Sequence, residues 1–189
     1  MISNNWHRRL RARYPRATSG FTLIELLVVV AMIAILASLT APSFNELRLN
    51  QKVASHSSDL FASVLQARNE SLKLSRPVTV APINGTDWTS GWRVFVDMNA
   101  NSSFDSNTDT IVITTPAFTE AITATGSGGG AAPAAFSFDS RGFLLNGFGA
   151  NRVVFKSTVT GREKQVIVSA TGRARMCEPR LSTTCTTGN

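Results

Sequence analysis

Histidine and cysteine, the residues most often recruited for catalysis and metal binding, are scarce in this chain. There are two of each among 189 residues, and no glycine-rich loop followed by a lysine offers a phosphate cradle. His7 sits in an N-terminal basic stretch and His56 in a segment patterned as helix, so neither completes a four-ligand site with Cys177 and Cys185. No nucleophile, base and orienting group fall into a catalytic pattern. An enzyme is not expected, nor is a cofactor. Acids are also absent before Glu25, whereas Arg8, Arg9, Arg11, Arg13 and Arg16 place five positive charges there. Such an asymmetry holds a flank on the cytoplasmic side of a bilayer.

Directly after the arginines come Gly20-Phe21-Thr22-Leu23-Ile24-Glu25 and then an almost wholly apolar run. Residues 21–41 are long enough to cross a hydrocarbon core of about 30 Å as a helix. An ordinary secretory signal would be cut after its apolar segment, at small residues. Here the basic stretch runs straight into Gly-Phe, and the apolar segment continues into a helical pattern. Glu25 within that segment costs roughly 2.5–3.5 kcal/mol on insertion scales, so it needs a partner or an escape to the headgroups.

Residues 20 to 27, Gly-Phe-Thr-Leu-Ile-Glu-Leu-Leu, resemble the processing site of type IV pilins and type II secretion pseudopilins. The resemblance implies cleavage by prepilin peptidase between Gly20 and Phe21, methylation of the new Phe21 amine, and passage from the bacterial inner membrane into a filament of other pilins. The C-terminal part would then be periplasmic before assembly, and extracellular or periplasmic within the pilus. Glu25 would pair with the Phe21 amine of a neighbouring subunit, or snorkel to the headgroups.

Much of the net charge of +7 belongs to the proposed leader: without its five arginines, fourteen basic residues face twelve acids. Residues 21–151 hold seven cations and ten acids, residues 152–189 seven cations and two acids. The basic part is the C-terminal fifth. Cys177 and Cys185 lie there too, in the half placed outside the cytoplasm, where a disulfide is the natural inference; a metal site is the rival.

The expected organisation is a leader over 1–20, a transmembrane and assembly helix over 21–42, an amphipathic helix over 43–75 and a β-rich domain over 76–189. Leu47, Val53, Leu60, Phe61, Val64, Leu65 and Leu72 recur at helical spacing. Arg76-Pro77 ends the helix, because proline disfavours helical geometry in the residue before it. Period-two alternation predicts strands over 78–83, 92–98, 110–115, 135–138, 152–158 and 164–170, and residues 126–133 have too little apolar content to pack. The fold class is α+β, a long helix on an antiparallel sheet. Gly91-Trp-Arg-Val-Phe-Val-Asp-Met-Asn99, Phe138-Asp-Ser-Arg-Gly142 and Ser169-Ala-Thr-Gly-Arg-Ala-Arg175 are similar to the GspH/FimT group of the pilin superfamily.

Two further features bear on function. Asp97, Asn99, Asn101, Asp105 and Asp109 place oxygen-bearing side chains at nearly alternate positions, as a calcium loop does. Ser102 and Thr108 stand where such a loop wants glycine and a bidentate glutamate, and asparagine and aspartate dominate ordinary turns as well. Gly172-Arg173-Ala174-Arg175 follows a predicted strand; in extended backbone its arginines share a face about 6.6 Å apart. Arg180, Arg162 and Lys164 are expected to join them at one end of the domain. Guanidinium forks suit phosphate oxygens without sequence readout; a solvated basic edge is the rival reading. A Gly-Arg-x-Arg motif in a basic C-terminal region resembles the DNA-binding FimT-type minor pilins of natural transformation. That resemblance implies non-specific DNA capture; a structural minor pilin priming pilus assembly and a type II secretion pseudopilin are the alternatives.

Overall fold

The computed structural model describes residues 20–127, 135–145, 151–182 and 185. The expected leader therefore lies outside the described residues apart from Gly20. One helix, α1 (Leu23–Leu74), precedes eight strands: β1 (Val78–Asn84), β2 (Asp87–Val96), β3 (Thr110–Thr115), β4 (Ile122–Ser127), β5 (Phe136–Phe138), β6 (Asn151–Ser157), β7 (Glu163–Val168) and β8 (Ala174–Cys177). The strands form a single sheet in the order β5-β1-β2-β4-β6-β7-β8, with β3 also on β2. Every pairing is antiparallel. The α+β expectation holds.

The chain divides into two compact units, residues 1–41 and 42–189. In the first, every large apolar side chain described from Phe21 to Leu36 is exposed. Among the described residues no helix is long and apolar enough to cross a membrane. The apolar stretch with described side chains ends at Ser38, short of the full run expected to span. The span consequently rests on the sequence.

In the second unit α1 lays one stripe on the sheet. Val53, Ser57, Leu60, Val64, Ala67 and Ser71 are buried, and their spacing of three or four residues puts them on one helix face. Leu47, Leu65 and Leu72, expected in the buried face, are exposed instead. Small serines take their places because they let the helix approach closely. Ser57 and Ser71 satisfy their hydroxyls by donating to the carbonyls of Ala54 and Arg68, while Ser63 accepts from the Trp92 indole N–H at 3.0 Å. Facing the stripe are Trp88, Trp92, Val94, Phe136, Phe138, Val153, Phe155, Val166 and Val168.

Two strands were not expected. β4 occupies Gly126 and Ser127, which composition placed in a loop; the rest of that loop falls outside the described residues. Its Ile122 and Ala124 alternate inward, but threonine, glycine and serine between them hide the period. β8 is too short and too charged to read as a strand. β2 also starts earlier than expected, at Asp87.

Two turns meet α1 at a single arginine. Gly142 N donates to Asp139 O and Gly172 N to Ser169 O, both at 2.9 Å, and both glycines have positive φ, +77° and +76°. Arg68 Nε donates to the Gly142 carbonyl at 3.1 Å and its Nη2 to the Thr171 carbonyl at 3.4 Å. A Cβ on Gly172 would overlap Gly142 O, so only glycine fits in both conformation and space. Gly172→Ala is expected to lower stability by about 2–4 kcal/mol through backbone strain and overpacking together, read from urea unfolding midpoints against wild type.

Asp139 fastens the first turn. One oxygen accepts from the N–H groups of Arg141 and Phe143, at 2.8 and 2.9 Å, and the other from the Arg141 guanidinium at 3.1 and 3.0 Å. Burial pushes this carboxyl up, but those N–H donors and the guanidinium outweigh it and hold the carboxyl below its usual value. With the folded value depressed, the stabilisation is complete above the unfolded value and is lost as pH falls through the folded one. Melting temperature should therefore drop on acidification below about pH 4. Asp139→Asn should cost about 1–3 kcal/mol at neutral pH and make that acid-side drop smaller.

Candidate functional site

At the start of α1, Thr22 and Glu25 cap the helix reciprocally. Thr22 N and Oγ1 donate to Glu25 Oε2 at 3.0 and 3.2 Å, and Glu25 N donates to Thr22 Oγ1 at 3.2 Å. This is a capping box, which satisfies orphan N–H donors and places an anion at the positive end of the helix dipole. The Thr-x-x-Glu signature was visible in the sequence, and it gives Glu25 a partner within its own chain. Gly20 and Phe21 precede it in open space, with Phe21 84% exposed. A peptidase and a methylating enzyme need that accessibility.

The Asp97–Asp109 loop turns its carboxylates on its own backbone. Asp97 Oδ2 accepts from Ser102 N at 2.7 Å and from Thr79 Oγ1 at 3.1 Å. Asp105 Oδ2 accepts from the side-chain amides of Asn99 and Asn101 at 2.8 and 2.9 Å. The two oxygens of Asp109 accept from Met98 N and Asp105 N. Among the described residues no group of three acids, histidines or cysteines could hold a metal. The spacing that suggested calcium is thus accounted for by turn chemistry.

The five expected cations do not gather at one end. Arg173 stands in the turn joining β7 to β8, exposed, its N–H donating to Ser169 Oγ and its carbonyl accepting from Ser169 N. Arg175 is on β8, opposite Ile167. Arg162 lies just before the other end of β7 and is paired with Glu178 at 3.2 Å. Arg180 reaches toward Gly161 in the turn between β6 and β7, near Arg162. Lys164 is opposite Phe155, a core residue, and so lies on the face that α1 covers. Some six residues of β7, about 20 Å at strand rise, separate Arg162 and Arg180 from Arg173. Linear proximity had suggested a cluster; the hairpin sends its members to opposite ends.

Cys177 and Cys185 form a disulfide with Cα atoms 5.6 Å apart. Cys177 is opposite Gln165 on the sheet face away from α1, and Cys185 is buried. The bridge returns the C-terminal segment to the sheet beside Arg175.

Comparison with known proteins now decides the family. Residues 56–172 match the family model for the type II transport protein GspH. The chain belongs to this family. Residues 15–41 match the prokaryotic N-terminal methylation motif. The Pilin-like protein PilA1 of Thermus thermophilus is 35% identical over 88 residues, 46% of this chain and 53% of that protein; the chain thus spans about half the length of this curated relative. The type IV minor pilin FimU of Pseudomonas aeruginosa superposes with a TM-score of 0.57 over 69% of this chain and 91% of FimU, at 17% identity, and a second crystal form gives 0.54 over 67% and 94%, at 18%. At that identity the likeness carries the fold alone, and the fold is that of type IV pilins. GspH-family members are pilin and pseudopilin subunits, filament parts and not enzymes.

The disulfide closes a short loop, which in the chain-entropy model is worth about 2.5 kcal/mol. Replacing Cys177 and Cys185 by serine should lower the unfolding free energy by about that amount, measured by urea titration of the full chain in detergent micelles.

Proposed function

We propose that this subunit is a minor type IV pilin that binds extracellular DNA non-specifically during natural transformation, through Arg173 and Arg175. One observation carries the proposal: the register of β8 puts Arg175 on the sheet face away from α1, and Arg173 is exposed in the adjoining Gly172 turn, two residues before it. The two arginines thus stand within two residues of each other at the Gly172 end of the hairpin. Guanidinium forks match phosphate oxygens bidentately. The acids of the C-terminal part are at the far end of β7, where Glu178 holds Arg162 and Glu163 accepts from Gln165. Further support is the resemblance of the Gly-Arg-x-Arg motif to DNA-binding FimT-type minor pilins.

Before assembly the chain crosses the inner membrane once, through residues 21–42, with residues 43–189 in the periplasm. Prepilin peptidase removes residues 1–20, and the methylated Phe21 begins the mature subunit. The matched methylation motif and the exposed apolar residues of the first unit support this course. In a filament, Glu25 keeps one oxygen on its own helix cap and offers its charge to the Phe21 amine of a neighbouring pilin. Arg162, Lys164 and Arg180 take a lesser part in DNA contact, set apart from the Gly172 turn.

A second reading is favoured by the matched family's own description: a type II secretion pseudopilin, or a purely structural minor pilin. Deletion separates the three. DNA capture predicts lost transformation with pili present, a priming role predicts lost pili, and a pseudopilin role predicts failed protein export.

The direct test is a gel shift of the full chain in detergent micelles with random-sequence duplex DNA over a salt series. Binding should weaken with salt, each neutralised phosphate contributing a slope of about −0.9 in log affinity against log salt. Arg173→Ala with Arg175→Ala should abolish the shift without moving the melting transition. Salt-indifferent binding, or binding retained by the double variant, would remove the proposal.

A further inference from the structure

Strand register brings a third arginine into line with the Gly-Arg-x-Arg pair, from a part of the chain twenty residues earlier. On β6, Asn151, Val153, Phe155 and Ser157 are buried while Arg152 and Val154 are half-buried and Lys156 exposed. Arg152 accordingly projects on the face away from α1. The register pairs Arg152 with Ile167 and Ile167 with Arg175, and directly opposed residues of antiparallel strands share a face. Arg152, Ile167 and Arg175 thus form one row across β6, β7 and β8, with the outer two about 10 Å apart at two strand spacings. Ile167, between them, is only 4% exposed although it points away from the core. Arginine stems on either side of an apolar residue can lie along it while their charged heads stay in water. No acid occupies β6 or β8, and the one acid of β7, Glu163, is opposite Lys156 at the other end of the strand.

We propose that Arg152 is a third phosphate-binding residue, which makes the polyanion site a face spanning β6 to β8 beside the Gly172 turn, and not a stripe along the C-terminal segment. It rests on the DNA-binding reading above, which it extends to a residue outside the motif. A phosphodiester backbone then lies across the strands, over Ile167, with Arg152 on one side and Arg173 and Arg175 on the other. Arg162 and Arg180, at the other end of β7, stand outside this face.

The test uses the full chain in detergent micelles and a fluorescent random-sequence duplex, titrated by anisotropy across a salt series. Arg152→Gln keeps most of the stem over Ile167 and removes the charge; Arg152→Lys keeps both; Arg162→Gln removes an equal charge at the far end of β7. Arg152→Gln should weaken binding several-fold at low salt and make the log–log slope shallower by about 0.9, the loss of one phosphate contact. Arg152→Lys should keep the wild-type slope, and Arg162→Gln should weaken binding and flatten the slope clearly less than Arg152→Gln does. Wild-type slope and affinity in Arg152→Gln, alongside lost binding in the Arg173/Arg175 double variant, would overturn the role of Arg152 and leave DNA binding standing. Equal losses from Arg152→Gln and Arg162→Gln would overturn the localised face in favour of net charge. No binding by wild type at low salt would overturn both.

Discussion

The guanidinium of Arg68 ties together three parts of the chain that are far apart in sequence. It leaves α1 in its last two turns and donates to carbonyls in two separate turns, at Gly142 and Thr171. Each turn brings a left-handed glycine to the joint: a side chain on Gly172 would overlap the Gly142 carbonyl, and one on Gly142 would press on the side chains of Arg68 and Leu72. Helix, β5 and the β7–β8 hairpin are thereby fixed with respect to one another by one side chain and two missing ones. The position of Arg173 follows from this, because it is the next residue after Gly172. In the Gly-Arg-x-Arg motif the glycine serves the fold and the arginines serve the surface.

That division explains what could be read from sequence and what could not. The end of α1 at Arg76-Pro77, the alternation in β1, β2 and β6 and the α+β class are local signals, set by proline chemistry and by period-two burial within a few residues. The buried stripe of α1 was only half legible, since Ser57, Ser63 and Ser71 do the work that a hydrophobic search assigns to Leu65 and Leu72. β4 and β8 were missed because their apolar positions are too few to show a period. Arg173 and Arg175 were legible as a motif, but the strand neighbour across the sheet was not. Proximity across a sheet is set by register, and register put Arg152 in one row with Arg175, across Ile167, while sending Arg162 to the opposite end of β7. The Thr22-Glu25 capping box is a different case: its signature was present in four consecutive residues and needed no structure.

The acidic loop after β2 uses its oxygens within its own turns, the ordinary-turn reading that the sequence also allowed. Asp97 is buried, and its carboxylate is met by Thr79, whose hydroxyl neighbours Ser137, which in turn donates to Ser102. A buried carboxylate without hydrogen-bond donors would be very costly; here backbone N–H groups and hydroxyls supply them. The same alternate spacing that lets oxygens converge on a cation lets them converge on successive N–H groups, and only the direction of the side chains tells the two apart. Charge is consequently sorted within this unit: the acids of the 97–109 loop accept hydrogen bonds within their own turns, and Arg152 and Arg175 stand on the outer face of the sheet.

Placement on that outer face has an energetic consequence. The inner face of the sheet is committed to α1 through a continuous apolar stripe, so any ligand there would have to compete with the core. The outer face of β6–β8 is not committed to α1, and the Cys177–Cys185 bridge lies on it. On the DNA-binding reading proposed above, two or three guanidiniums would give one subunit only weak purchase on a polyanion. Weak, salt-sensitive contacts of this kind become useful when they are repeated along one ligand, since each later contact is made at the high effective concentration set by the first. DNA is such a ligand, because its phosphates recur without regard to sequence. A rigid display of arginines on a filament subunit suits it better than an enclosed pocket would: strength comes from the number of contacts, and release needs only that they be broken one at a time.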